Sequence, residues 1–211
     1  MSLALLHTSA VHVPVFDALR DARHPGLVLR HLVHGDLLDR AGVLGPEAMA
    51  GDVEALVSGA VAEGATAVLC TCSTIGGVAE SVGARLGVPV LRIDRPMAAA
   101  AVRAGRVTVL AAHHATLEPT RALLAQEAER AGETLDVRTV LVDGAWARFE
   151  AGDHGGYLDL VAAAADDVTD ADVIVLAQVS MAGAVTRSVT RIPVLSSPGP
   201  GLDAAAVAAA G

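Results

Sequence analysis

The feature that most constrains the fold of this chain is a regular alternation of short apolar, β-branched runs with longer alanine-rich stretches. We predict strands at residues 3–7, 26–33, 66–71, 88–93, 106–111, 135–142, 172–177 and 192–196. Helical patterns lie between them, at residues 13–22, 47–63, 75–86, 95–104, 117–131, 154–168 and 181–189. Strands that alternate with helices form βαβ units, so the pattern predicts an α/β fold with parallel sheets.

The two halves of the chain follow one pattern, which indicates an internal duplication. Residues 65–77 contain an apolar strand, a polar turn and the start of a helix, and residues 171–183 repeat that order. We therefore predict two pseudo-symmetric flavodoxin-like halves, each with a parallel sheet flanked by helices. The first half comprises residues 1–97 and 196–211, and the second comprises residues 98–195. The alternative explanation for the similarity is chance, together with the strand–turn–helix order that all α/β folds share.

The predicted active site follows from this architecture. Open parallel sheets bind ligands beyond the carboxyl ends of their strands. If the two halves face each other, the turns at residues 71–75 and 177–181 would line one cleft. We expect the active site in that cleft.

Composition excludes several classes of function. The net charge is −9 and no basic block is present, so neither nucleic acid nor an anionic membrane is an expected partner. No apolar run approaches the roughly 18 residues of a membrane span, and the first residues lack the basic region of a signal peptide. We expect a soluble, cytoplasmic protein, and an exposed alanine-rich helix face would allow a homodimer.

The chain contains no lysine. A pyridoxal phosphate Schiff base needs a lysine amine, and a phosphate-binding P-loop needs a lysine as well, so the sequence excludes both. Two cysteines alone cannot form a structural zinc site, and the eight histidines include no HExxH pattern. We therefore expect no metal site.

A reactive group is predicted at the end of the third strand. The turn there contains Cys72, Ser73 and Thr74 and opens a helix. A helix N-terminus offers unsatisfied N–H donors and a partial positive charge, so it binds carboxylates and favours a thiolate over a thiol. The alternative is that Cys72 is an inert buried thiol beside two capping hydroxyls. Cys70 lies within the strand and is expected to be a small core residue.

Several stretches, taken in order, resemble the aspartate/glutamate/hydantoin racemase superfamily. The strand at residues 66–71 followed by Cys72-Ser73-Thr74 is similar to the first cysteine turn of that superfamily, where Cys-Asn-Thr is common. Further similar stretches follow at residues 90–97, 106–110, 115–120 and 192–198. The resemblance covers nearly the whole chain, and the succession of motifs is more specific than any one of them.

The resemblance implies a cofactor-independent enzyme in which two cysteines act on opposite faces of a substrate α-carbon. Cys72 corresponds to the first of these cysteines. Ser73 and Thr74 would bind the substrate carboxylate, and Thr116 would contribute from the second half. Ser9, at the end of the first strand, matches a region that lines the pocket.

The sequence departs from the family at important positions. Gln178 stands where the second cysteine is expected, and an amide cannot transfer a proton at neutral pH. Ser180 stands where a histidine is common. The family's aspartate near the first strand end is replaced, with His7 the closest residue. His7 could deprotonate Cys72, or it could be a satisfied core histidine. Further candidates for this role are His12, His113 and His114.

Three classes of function therefore stay open. The first is an enzyme that uses Cys72 at the α-carbon of a small carboxylic or amino acid: a racemase, or a single-cysteine decarboxylase or isomerase. In the latter case Gln178 or the amides near Val179 would contribute roughly 3 kcal/mol to a developing enolate. The second is a non-catalytic carboxylate-binding protein. The third is hydrolysis or acyl transfer with Cys72 as the nucleophile.

Overall fold

The computed structural model describes residues 2–211 and contains two parallel sheets of four strands each. The strands are β1 (Ser2–His7), β2 (Val28–Val33), β3 (Ala67–Cys70), β4 (Val90–Arg92), β5 (Arg106–Ala111), β6 (Asp136–Leu141), β7 (Val173–Leu176) and β8 (Val194–Ser196). The helices are α1 (Val13–Arg23), α2 (Asp36–Leu44), α3 (Ala50–Ala62), α4 (Ser73–Leu86), α5 (Arg95–Ala101), α6 (Leu117–Ala131), α7 (Ala145–Glu150), α8 (His154–Asp166) and α9 (Pro198–Ala210). The predicted α/β class with two parallel, helix-flanked sheets is confirmed.

The chain forms two compact units. The first unit contains residues 1–95 and 198–211, and the second contains residues 96–197. The strand order is β2-β1-β3-β4 in the first unit and β6-β5-β7-β8 in the second. Every neighbouring pair of strands is parallel, and the two orders correspond strand for strand.

The central strands of both sheets are buried on both faces. All residues of β3 and β7 are buried, whereas the edge strands β2 and β6 are only partly covered. Helices on both faces of a parallel sheet explain why the central strands are continuous apolar runs without alternation. The second unit has two separate apolar clusters, and the first has a large cluster that includes Cys70 and Cys72.

The strand order creates a switch point in each sheet. From β1 the chain proceeds to β2 on one side and then returns past β1 to β3 on the other side. The loops that leave β1 and β3 therefore diverge at the carboxyl edge, which is where open α/β sheets bind ligands. The same geometry recurs between β5 and β7 in the second unit.

Each predicted strand overlaps an observed one, but the helices required corrections. Residues 181–189 were expected to form an α-helix, whereas the structure has a 3₁₀ helix at Val179–Thr186. The sequence pattern also missed α2, α7 and α9. Helix α9 begins Pro198-Gly199-Pro200-Gly201, a composition typical of loops, but prolines are tolerated in a first turn because the N–H groups there have no partner within the helix. No helix in residues 2–211 combines the length and apolar character that crossing a membrane needs.

Candidate active site

Cys72 is the residue that joins β3 to α4. Its backbone is extended, with φ −107° and ψ 116°, and it occupies the N-cap position of the 14-residue helix α4. Its side chain makes no capping hydrogen bond, so no side chain at the N-cap position occupies the first amide donors of α4. Ser73 and Thr74 form the first turn and are buried. This end of α4 is therefore suited to hold an anion beside the Cys72 sulfur.

The two cysteines have different environments. Cys70 is fully buried, and its Sγ donates to the Cys72 carbonyl oxygen at 3.5 Å. Burial, followed by the nearby Cys72, raises the pKa of Cys70 above its usual range, so Cys70 is a thiol at neutral pH. Cys72 keeps 7% of its surface exposed. Of the two cysteines, only Cys72 is placed to meet a ligand.

An ion pair between Arg92 and Asp94 lies beneath the first turn of α4. Arg92 Nε and Nη2 donate to the Asp94 carboxylate at 2.7 and 3.0 Å, and both residues are buried. Arg92 Nη2 also lies 3.4 Å from the Ser73 carbonyl oxygen, so it can donate to that atom. Burial alone would lower the pKa of Arg92, but the Asp94 carboxylate outweighs that penalty and the pKa is raised. The pair therefore fastens the turn that carries Cys72 to the end of β4.

Gly76 allows this contact, which leads to a stability prediction. A Cβ at Gly76 would lie 2.9 Å from Arg92 Cβ, whereas a Cβ at Gly77 would meet only the end of the Arg92 side chain at 3.5 Å. We expect Gly76→Ala to destabilise the protein by about 1–3 kcal/mol, because α4 must move away from Arg92. Gly77→Ala removes a helix-interior glycine and should stabilise by about 0.5–1 kcal/mol. Urea unfolding of both variants measures the difference, and equal effects would contradict the role given to Gly76.

His7 has other partners than the one predicted. Its Nδ1 lies 2.8 Å from Thr71 Oγ1, and its Nε2 lies 2.8 Å from His31 Nδ1. Burial, followed by the charges of His12 and His31, lowers the pKa of His7 to about 3. Both ring nitrogens are thus engaged and the ring is neutral, so His7 could accept a proton from Cys72 only after breaking one of these bonds. These two bonds fit the alternative in which His7 is a satisfied core histidine.

Ser9 and His12 lie in the loop that leaves β1. Ser9 is half-buried, has an extended backbone, and makes no side-chain capping bond. His12 is buried, and its Nδ1 has no hydrogen-bond partner among residues 2–211. Burial lowers the pKa of His12 to about 4. His12 is therefore a neutral imidazole that lies 6.0 Å from His7, measured between ring centroids.

Gln178 links the two loops at the switch point of the second unit. Its Oε1 accepts hydrogen bonds from the backbone N–H groups of Ala112 and His113, at 2.7 and 3.2 Å. These bonds join the loop after β7 to the loop after β5. They also fix the amide orientation, because only the oxygen can accept. The amide nitrogen of Gln178 has no hydrogen-bond partner within residues 2–211, which leaves a half-buried donor pair at this edge.

The remaining predicted residues of the second unit lie nearby. Val179 is buried at the start of the 3₁₀ helix. The hydroxyl oxygens of Ser180 and Tyr157 are 2.8 Å apart, and burial raises the pKa of Tyr157 to about 12. Thr116 is buried, and its carbonyl oxygen accepts from the Thr120 hydroxyl at 2.8 Å. The Tyr157–Ser180 contact joins α8 to the 3₁₀ helix, and the Thr116–Thr120 bond lies at the start of α6.

Some residues of the site were missed at the sequence level. Thr71 and His31 bond to His7, and Arg92 and Asp94 support α4. The signal for the second pair was available, since the strand at Val90–Arg92 ends in an arginine and an aspartate follows two residues later. The aromatic residues of the second unit were missed as well: the Trp146 ring contacts His113 and Phe149, with centroid distances of 4.6 and 5.0 Å.

Within residues 2–211, no group of three or more His, Cys, Asp or Glu side chains is arranged to hold a metal ion. No protein-family model matches the chain. No curated protein sequence matches it either.

Comparison with solved structures identifies proteins of the same fold. A glutamate racemase from Francisella tularensis in complex with D-glutamate superposes with a TM-score of 0.76 at 10% identity, covering 98% of this chain and 79% of that one. A glutamate racemase from Aquifex pyrophilus gives 0.68 at 14% identity, covering 96% and 82%. A mutant of arylmalonate decarboxylase in a sulfate-associated form gives 0.66 at 20% identity, covering 100% and 94%. At these identities the likeness shows a shared fold.

Proposed function

We propose that the chain is a cofactor-independent enzyme of the aspartate/glutamate racemase superfamily that uses Cys72 for proton transfer at the α-carbon of a small carboxylic or amino acid. The observation that supports this most directly is the position of Cys72. It is a thiol with 7% of its surface exposed, at an N-terminus of α4 that has no side-chain cap, beside the switch point of a sheet whose fold is shared with glutamate racemases. A helix N-terminus and a thiol together fit the two parts of a carboxylic acid substrate, its carboxylate and its α-proton.

The roles of the neighbouring residues follow from this arrangement. The substrate carboxylate accepts hydrogen bonds from the first amides of α4 and from the Ser73 and Thr74 hydroxyls. The Cys72 thiolate removes the α-proton, and the electron pair of the C–H bond moves into the carboxyl group as an enolate. Racemisation requires the next proton to reach the opposite face of the enolate. Because Gln178 stands where the second cysteine is expected, a water molecule donates that proton, and the resulting hydroxide takes the proton from the Cys72 thiol. Ser9 and Thr116 remain proposed substrate contacts, as do Val179 and Ser180.

A second candidate is favoured by Gln178. With its oxygen held by two backbone N–H groups, this residue presents an NH₂ donor and no acid or base. A donor suits a reaction that builds negative charge and needs a proton from one side only. In a decarboxylase the bond between the α-carbon and a carboxylate breaks, carbon dioxide leaves, and its electron pair remains as an enolate. The Cys72 thiol protonates that enolate and regains its proton from water.

One experiment separates these functions. The protein is incubated in D₂O with the enantiomers of aspartate and glutamate and with methylmalonate, and the α-proton signal is followed by NMR. A racemase would place deuterium in both enantiomers of an amino acid. A decarboxylase would release carbon dioxide and give a monodeuterated product of one hand. Binding of these acids without exchange or release of carbon dioxide would contradict the proposed catalysis and indicate a carboxylate-binding protein.

The donor role of Gln178 has its own test. Gln178→Glu keeps an oxygen that can accept from Ala112 and His113 but replaces the NH₂ donors with a negative charge. We expect kcat to fall by about 10²–10³-fold, the effect of losing one donor to a developing oxyanion, with a smaller change in KM. Thr186→Ala is the matched control, since it removes an exposed polar side chain at the other end of the same 3₁₀ helix and should leave kcat within severalfold. An unchanged kcat in Gln178→Glu would remove Gln178 from the proposed mechanism.

A further inference from the structure

A continuous line of hydrogen bonds leads from the Cys72 turn to helix α1. Thr71 Oγ1 lies 3.1 Å from the Leu6 carbonyl oxygen and 2.8 Å from His7 Nδ1. On the other side of the His7 ring, Nε2 lies 2.8 Å from His31 Nδ1. His31 Nε2 in turn lies 3.4 Å from the Asp17 carboxylate. The line connects α1, β2 and β1 with Thr71, which follows β3 and precedes Cys72.

The protonation state of His31 determines the direction in which the hydrogen bonds of this line donate. With His31 neutral, its one N–H serves Asp17 best as Nε2–H, because a carboxylate only accepts. His31 Nδ1 then accepts from His7 Nε2–H, and His7 Nδ1 accepts from the Thr71 hydroxyl. With His31 protonated, Nδ1 becomes a donor to His7 Nε2. His7 must then carry its proton on Nδ1 and donate to Thr71, whose hydroxyl turns to the Leu6 carbonyl.

We propose that His31 and His7 form a reversible hydrogen-bond switch, in which one proton bound at His31 changes the tautomer of His7 and turns the Thr71 hydroxyl beside Cys72. His7 stays neutral in both states. Its proton is on Nε2 in one state and on Nδ1 in the other. The switch itself stands on the geometry of the line, and its consequence for catalysis rests on the proposed role of Cys72. His7 and His31 are positioning residues in this scheme.

The surroundings of the line favour this behaviour. His7 is fully buried, and burial is the main reason that its pKa lies near 3, so a second proton on His7 is disfavoured. His31 keeps 16% of its side chain exposed, and its Nε2 lies 3.4 Å from the Asp17 carboxylate. Other titratable or charged groups near the line are His12 after β1, Arg20 on α1, which pairs with Asp17, and His34, whose backbone N–H donates to the His7 carbonyl oxygen.

The reorientation acts on the part of the chain that holds Cys72. The Leu6 carbonyl oxygen also accepts the Thr71 backbone N–H at 3.0 Å. In one state this oxygen receives two hydrogen bonds from Thr71, and in the other it receives one. The change therefore adds or removes a bond that ties the end of β3 to β1, next to the turn that opens α4. One such bond is worth about 0.5–1.5 kcal/mol, or roughly a two- to tenfold change in an equilibrium or rate.

Nitrogen NMR of the histidine rings tests the switch directly. Spectra of ¹⁵N-labelled protein recorded between pH 8 and pH 5 distinguish the two neutral tautomers from the imidazolium ion. We expect His7 to change from the Nε2–H to the Nδ1–H tautomer, without becoming an imidazolium, as His31 takes up its proton in the same spectra. A His7 that keeps one tautomer throughout, or that becomes an imidazolium in this range, would overturn the proposal.

Variants of His31 and Asp17 provide the controls. Asn at position 31 places an amide near the former Nδ1 and does not titrate, so His31→Asn should make the His7 tautomer independent of pH. Asp17→Asn replaces the carboxylate at the end of the line with a neutral amide, and a tautomer change at an unaltered pH in this variant would exclude Asp17 from the switch. His24→Asn alters a histidine that bonds to Asp203 and should leave the change in place. A pH-dependent His7 tautomer in His31→Asn would contradict the assignment of the switch to His31.

Alkylation of Cys72 by iodoacetamide measures the effect on the site without any substrate. In Cys70→Ala protein, where Cys72 is the remaining thiol, we expect the rate to show a two- to tenfold step at the pH of the tautomer change, beyond the smooth dependence on thiolate concentration. The step should vanish when His31→Asn is added. A smooth profile together with a tautomer change would overturn the coupling to Cys72. Because neither readout needs turnover, failure of the proposed function would not produce these results.

Discussion

Replacing Cys72 with alanine is expected to lower α-proton exchange or decarboxylation by about 10²–10⁴-fold, the contribution of a positioned acid–base group. The sulfur is the proposed reactive atom at the N-terminus of α4, and the imidazole of His7 is already hydrogen-bonded to Thr71 and His31. The loss should fall on kcat, because the amides and hydroxyls of the first α4 turn still hold the carboxylate. Deuterium incorporation from D₂O measures the change.

Cys70→Ala is the matched control for this experiment. Cys70 is buried, and its raised pKa keeps it a thiol, so it should contribute to packing alone. We expect Cys70→Ala to cost about 1 kcal/mol of stability and to leave kcat within severalfold. Loss of activity in both variants, with both folded, would show that the reaction depends on the strand end and not on the Cys72 sulfur. Full activity in Cys72→Ala would rule out the proposed mechanism.

The sheets could be predicted because their signal is local. Apolar runs such as residues 67–70 and 173–177 are continuous, which marks a strand covered on both faces, and the helical stretches between them imply parallel pairing. The helices that were missed lack such a signal. Helix α2 has nine residues and α7 has six, too short for a clear period, and α9 opens with two prolines and two glycines within its first four residues.

The site was predictable only where chemistry and local structure coincide. Cys72 could be placed at a helix N-terminus because the strand before it and the helix after it are both visible in the sequence. The partners of His7 could not be found in this way, since Thr71 and His31 lie 64 and 24 residues away along the chain. Which two histidines pair depends on the register of β1 against β2, where Leu5 lies opposite His31. A single sequence does not carry that information.

The stability of the protein should fall steeply between pH 6.5 and pH 4.5, before most carboxylates titrate. In the folded protein the pKa values of His7 and His12 are about 3 and about 4, below the usual histidine pKa of 6.5. A pKa lowered by folding means that the unfolded chain binds more protons below pH 6.5, so the stability present above that pH is lost as the pH falls. Each histidine contributes about 1.4 kcal/mol per pH unit over this range, or about 5 kcal/mol for the two together at pH 4.5. Urea unfolding at intervals of half a pH unit measures the slope.

The contribution of His12 can be separated from that of His7. His12 has a buried Nδ1 without a hydrogen-bond partner in residues 2–211. Replacing this side chain with one that does not titrate therefore breaks no hydrogen bond at Nδ1. We expect His12→Asn to reduce the slope by about 1.4 kcal/mol per pH unit, the value for one proton. His24→Asn changes a partly exposed histidine paired with Asp203 and should leave the slope nearly unchanged. If stability were flat down to pH 4.5, the unfolded and folded chains would bind equal numbers of protons, and the neutral, buried state of His7 on which the hydrogen-bond switch depends would be wrong.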